Sequence, residues 1–306
     1  MFIKKSFTYT LILLFFVICI TACFSIKIPF LKKETKIEKN IFLKKYCLAI
    51  FENRSSFTKQ KYLKTFYEKL ALDINQNLKN AYLVSEESSD FTIIKNIPRN
   101  LSKGTVDNQA LAQMGREMGL NSIITGEIIE IKTFSAKKGF IGFRKIRPGF
   151  SWKVKLSIYD CETGFKTFFE DVEQKSFVDD KQFYKQYLES NKSTKFQLLI
   201  QRSFEQMALT CASMLTKSLN KELWKSYIIR KTSDLFEIPC GSSSNIQVGN
   251  TFNVIEKLDN IVSEGQEYII PGEIIGKVEV VEVFKDSCKA KKISGENIEN
   301  SSCVIR

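Results

Sequence analysis

The most regular pattern in the chain lies at residues 150–158. Phe150, Trp152, Val154, Leu156 and Ile158 alternate with Ser151, Lys153, Lys155 and Ser157. That period of two marks a half-buried strand, because successive side chains point to opposite faces of a sheet. DCETG (160–164) follows as a turn and FKTFFEDVE returns, so the segment predicts a β-hairpin. Elsewhere the period changes. Leu63, Phe66, Tyr67, Leu70, Ile74 and Leu78 recur at helical spacing and predict a helix over 58–80. Phe196, Ile200, Phe204, Met207, Cys211, Leu215, Leu219 and Leu223 predict a longer helix ending near 224, with Trp224 closing the domain. YCLAIF (46–51), AYLVSE and NSIITGEIIEIK (121–132) read as strands. A short helix over 108–118 turns Ala110, Leu111, Met114 and Met118 inward and is ended by Gly119.

The β-α-β-α-β order predicts an α/β fold with a layered sheet-and-helix domain over 41–225. From 226 the texture changes to short β-branched runs split by PCGSSSN, QVGN and IPGE, which predicts a small all-β domain of SH3-like or barrel type over 226–306. Gly265, Gly272 and Gly276 are expected to serve its turns.

The N-terminus has a different pattern again. Lys4 and Lys5 form a positive start, LILLFFVICI (11–20) is a short apolar run, and Thr21 and Ala22 are small residues before Cys23. Those are the parts of a signal peptide over 1–22, and the run is shorter than the roughly 20 residues a spanning helix needs. Ile20-Thr21-Ala22-Cys23 resembles a bacterial lipobox. The resemblance implies that Cys23 is lipidated and becomes the first mature residue, that Cys19 leaves with the signal peptide, and that Phe24, in place of Asp, favours the outer membrane. Residues 23–40 then form a Lys-rich lipid-anchored tether.

Composition narrows the chemistry. There is no histidine, which removes Ser-His-Asp and Cys-His catalysis and every His-containing metal site. The net charge of +12 is spread along the chain as lysine rather than gathered into a basic arm. It reads as a solvated surface or as attraction to anionic lipid or wall polymer, and export makes nucleic acid an improbable partner. Cys47, Cys161, Cys211, Cys240, Cys288 and Cys303 remain in the mature chain, without a C-x-x-C spacing. Cys211 falls on a helix's apolar face, whereas Cys288 and Cys303 share the C-terminal domain and form the candidate disulfide.

GFIGFRKIRPGF (139–150) is Gly-rich, basic and aromatic, and lacks the Lys-Ser/Thr and following helix of a phosphate loop. It reads either as an ordinary solvent loop or as a contact surface, in which Phe140, Phe143, Arg144, Lys145, Arg147 and Phe150 meet a partner subunit, a lipid headgroup or the wall. The acid clusters Asp179-Asp180 and Glu170-Asp171-Glu173 read as solvated. No residue set implies a cofactor, a metal site or a catalytic site.

NQALAQMGREMGLNSIITGEIIEIK (108–132) and the hairpin carrying Tyr159-Asp160 with Thr163-Gly164 resemble the CsgG-like superfamily. VGNTFNVIEK followed by IPGEIIGKVEVVEVFKDSC resembles the C-terminal β-domain of FlgT-like flagellar assembly proteins. The resemblance implies an outer-membrane lipoprotein facing the periplasm, not an enzyme. Its role would be that of an assembly or scaffold factor of an envelope machine, flagellar in the first instance, with other envelope proteins as partners and a homo-oligomeric ring as its assembly. A curli-type secretion channel and a lipoprotein activator of a peptidoglycan synthase are the alternatives. Against the channel, 133–150 and 170–195 show no apolar outer face of the kind a spanning hairpin needs.

Overall fold

The computed structural model describes residues 41–84, 96–100, 104–140, 144–177, 192–232, 234–298 and 302–305. The expected signal peptide, tether and Cys23 lie outside them, as does Phe143. Phe42–Arg306 forms one compact unit holding two sheets.

The first sheet contains β1 (Lys44–Leu48), β2 (Glu52–Asn53), β3 (Ala81–Leu83), β4 (Ser122–Lys138), β5 (Lys145–Asp160) and β6 (Lys166–Phe177). Its order is β3-β1-β4-β5-β6, with β2 also running along β4. β1 pairs in parallel with β3 and β4, and β4, β5 and β6 are antiparallel. Alternation assigns the faces: Tyr46 and Leu48 enter one core, Cys47 and Ala49 the other. The first core is closed by α1 (Gln60–Asn77) and α3 (Lys192–Leu219), whose Phe66, Leu70, Ile74, Phe204, Met207, Cys211 and Leu215 pack on Trp152, Val154, Leu156 and Ile158. The second core, on the opposite face, is closed by α2 (Asn108–Glu117) through Leu111. The result is an α/β layered domain.

The second sheet comprises β7 (Lys225–Tyr227), β8 (Arg230–Thr232), β9 (Leu235–Ile238), β10 (Thr251–Ser263), β11 (Gln266–Val283), β12 (Cys288–Gly295) and β13 (Cys303–Ile305). It is antiparallel, in the order β7-β13-β10-β11-β12-β9-β8, and curls into a half-barrel around Phe252, Val254, Val278 and Ile238.

Several details differ from the sequence reading. GFIGFRKIRPGF is not one loop: β5 begins at Lys145 and pairs with an extended β4, Lys138 opposite Lys145 and Phe134 opposite Gly149. Gly149 permits this because any Cβ there would lie 2.5 Å from the Phe134 ring. IPGE does not break a strand. β11 runs through Pro271 and Gly272, because register shifts between β10 and β11 absorb the irregular stretch. Gly265 sits in the β10–β11 turn at φ +72°, but Gly276 lies within β11. The fully buried apolar side chains of α2 are Leu111 and Ala112, with Met114 and the capping Met118 half-buried beside them. Leu223 lies beyond α3 and is exposed. Trp224 packs in the second sheet's core instead of closing the first domain, its ring 4.9 Å from Phe42 and 5.1 Å from Phe252.

Candidate functional site

The sequence motifs of the α/β domain converge on its joint with the half-barrel. The turn after β5 is built by Asp160, whose Oδ2 accepts hydrogen bonds from the Thr163 amide (3.0 Å) and hydroxyl (2.7 Å). Gly164, at φ +76°, closes it by donating to the Asp160 carbonyl at 2.9 Å. The tip of the β10–β11 hairpin docks on this turn. Ile269 donates to the Thr163 carbonyl at 2.9 Å, Asn108 Nδ2 donates to the carbonyls of Gly164 (3.2 Å) and Glu267 (2.5 Å), and Phe165 stacks on Tyr268 with ring centroids 4.1 Å apart. Lys225 of β7 pairs with Asp160 and lies 3.1 Å from Glu162. The Tyr-Asp…Thr-Gly segment is therefore a latch between the two sheets.

Docking of the hairpin encloses a cleft of about 530 Å³ over the outer face of the first sheet. Its floor includes Thr125 and Ser157, opposite each other on β4 and β5 and both buried. Glu127 faces Lys155 two pairs further along, next on the same face. Arg99 and Thr105 supply a wall, and Gln266 and Tyr268 of the hairpin supply the rim. Arg54 lies 3.0 Å from Glu52 and 3.1 Å from Glu127, and Arg99 also pairs with Glu52. Burial alone would raise the Glu52 carboxyl, but Arg54 and Arg99 reverse this and hold it below the usual range. Burial pushes Lys166 down, a direction the neighbouring Lys155 reinforces and Glu127 opposes. Burial also moves the Tyr159 phenol up to about 12. Lys166 lies over the rings of Tyr159 (5.4 Å) and Phe169 (4.8 Å).

No single stretch of sequence signals this cleft, because its walls come from segments far apart in the chain. Among the described residues no group of three or more acidic or thiol side chains is arranged to hold a metal.

The structure splits the expected contact set at 140–150. Phe140 is 88% exposed and Arg144 is exposed, Lys145 opens β5, and Arg147 is half-buried. Phe150 is withdrawn from the set: it is 1% exposed and sits in the main core, 6.1 Å from the Phe204 ring. Phe150→Leu should therefore cost about 1–2 kcal/mol, and Phe140→Leu less than about 0.5 kcal/mol, a contrast read by urea denaturation.

The expected Cys288–Cys303 pairing is also corrected. β12 and β13 are separated by β10 and β11. Three strand spacings put the two cysteines roughly 14 Å apart along the sheet, beyond the ~7 Å Cα separation a disulfide spans. Cys288 instead lies beside Cys240, sulfurs 3.9 Å apart, while Cys303 joins Cys161 in another buried cluster. Cys211 is buried in the main core, as its helix face predicts.

No family model and no curated protein matches the chain. Solved structures do. The hypothetical protein CT253 from Chlamydia trachomatis is 12% identical, over 59% of this chain and 99% of that one, at a TM-score of 0.33. The PelC dodecamer from Paraburkholderia phytofirmans is 9% identical, over 57% and 88%, at 0.33. Lipoprotein GNA1162 from Neisseria meningitidis is 9% identical, over 54% and 98%, at 0.30. Similarity at this level carries no function from those proteins to this one.

Proposed function

We propose that the chain is a lipid-anchored protein of the bacterial envelope, held in the outer membrane through Cys23 and facing the periplasm. There it acts as a non-catalytic assembly or scaffold factor, associated in the first instance with the flagellar basal body. The observation that carries this reading is Ile20-Thr21-Ala22-Cys23 behind a positive start and a short apolar run. A scaffold role is supported by how the motif residues are used. Asp160, Thr163, Gly164 and Asn108 spend their hydrogen bonds on fastening one sheet to the other. The β4–β5 arm carries Lys137, Lys138 and Arg144 exposed near its tip, which disfavours the channel reading, since a cation on the lipid face of a spanning hairpin costs about 2–4 kcal/mol at the midplane.

The test is metabolic labelling with a clickable palmitate analogue. Wild type and Cys19→Ser are expected to label and to fractionate with the outer membrane. Cys23→Ser is expected to lose the label and the membrane association. Labelling that persists in Cys23→Ser would sink the anchoring reading.

A further inference from the structure

We infer that the cleft between the outer face of β4–β6 and the β10–β11 hairpin binds an acidic saccharide, a ligand carrying hydroxyls and at least one carboxylate. This goes beyond the anchoring reading and does not depend on it.

Charge is the first argument. The cleft is lined by four cations, Arg54, Arg99, Lys155 and Lys166, against Glu127 and Glu264. Glu52 and Glu127 engage the two arginines. Lys155 and Lys166 have no ion-pair partner within 4 Å among the described residues; burial disfavours the charge of Lys166, Glu127 favours it and Lys155 disfavours it more weakly. Burial makes the Lys166 ammonium costly in the empty protein, and an anion placed between it and Lys155 relieves that cost.

The floor argues for hydroxyl recognition. Thr125 and Ser157 are side by side across β4 and β5, line the cleft, and have no side-chain hydrogen-bond partner among the described residues. Both hydroxyls donate and accept, as sugar hydroxyls do. The walls supply the third element. Phe169, 53% exposed, stands beside Lys166, and Tyr268 forms the rim, so flat apolar faces lie next to polar groups. The volume is within the roughly 300–1,000 Å³ of small-molecule sites. An extended peptide would instead seek an open strand edge with side-chain sockets, whereas this cleft opens on a sheet face.

The test is calorimetric titration of the full-length protein in detergent with digalacturonate, its neutral dimethyl ester, triglutamate and inorganic phosphate. Digalacturonate is expected to bind, the ester about tenfold or more weaker, and the Lys155→Gln/Lys166→Gln double variant to lose about tenfold. Phe169→Ala, at an exposed position, is expected to weaken digalacturonate severalfold without changing the melting temperature. It decides the matter should the double variant fail to fold. Absence of digalacturonate binding, equal binding of triglutamate or phosphate, or undiminished affinity in the folded variants would each overturn the inference.

Discussion

Gly119→Ala is expected to lower the stability of the protein by about 4 kcal/mol, from two additive causes. α2 ends in a Schellman motif: Gly119 donates to the Arg116 carbonyl at 3.0 Å and Leu120 to the Gly115 carbonyl at 2.8 Å. The motif holds Gly119 at φ +68°, where an alanine pays about 1–2 kcal/mol. The second cause is contact. A Cβ at Gly119 would lie 2.1 Å from the Pro239 carbonyl oxygen, a backbone atom of the half-barrel. That same oxygen accepts a 2.9 Å hydrogen bond from the buried ammonium of Lys45. Moving Pro239 to make room would strip Lys45 of this partner, and leaving a buried charge underpaired is what makes the substitution severe. Gly249→Ala isolates the backbone share, since Gly249 has φ +86° and nothing within 4 Å of the Cβ position. Urea denaturation should show Gly119→Ala losing several times as much as Gly249→Ala. Equal losses would mean that the α2–Pro239 contact does not bear on the joint.

How far the sequence makes this fold legible depends on whether a residue's neighbours are local. Phe150 to Ile158 could be read because strand alternation is decided within the strand, and all five apolar positions are buried. Gly119 was legible as a helix stop for the same reason, but not as a contact, because Pro239 is distant in sequence. Lys44 and Lys45 illustrate the opposite case. Lysines read as solvated, yet both are buried in β1. Lys44 donates to the carbonyls of Leu219 (3.2 Å) and Glu222 (3.0 Å), neutralising the end of α3. Burial pushes both ammonium groups down from their ordinary value. The cleft was not legible at all: Arg99, Ser157 and Tyr268 meet only because the hairpin docks on the Asp160–Gly164 turn. Tyr159-Asp160 with Thr163-Gly164 lies beside the cleft, where it fastens the hairpin.

The other large effect is expected at Lys225. Its ammonium, 15% exposed, pairs with Asp160 (9%) and with Glu162 (15%) at the base of the latch. Lys225→Met keeps the length of the stem but leaves two nearly buried carboxylates without their cation. Removing one partner of a buried pair costs about 3–5 kcal/mol, because the remaining charge has lost its solvation without compensation. Asp160 also organises the turn through Thr163, so the damage should reach the hairpin docking site, not only β7. Hydrogen exchange at the Ile269 amide, which donates to Thr163, should therefore quicken in the variant. The pH dependence gives an independent check on wild type. Burial alone would lower the Lys225 pKa, but Asp160 and Glu162 more than reverse this and hold it above the ordinary 10.5. A base raised in the folded state contributes stability in full below its unfolded value and loses it as pH climbs from there toward the folded value. Wild type should thus shed this contribution only above about pH 10.5, and Lys225→Met, lacking the group, should show a smaller loss over the same alkaline range. Parallel alkaline losses in the two proteins would show that the pair does not hold the joint.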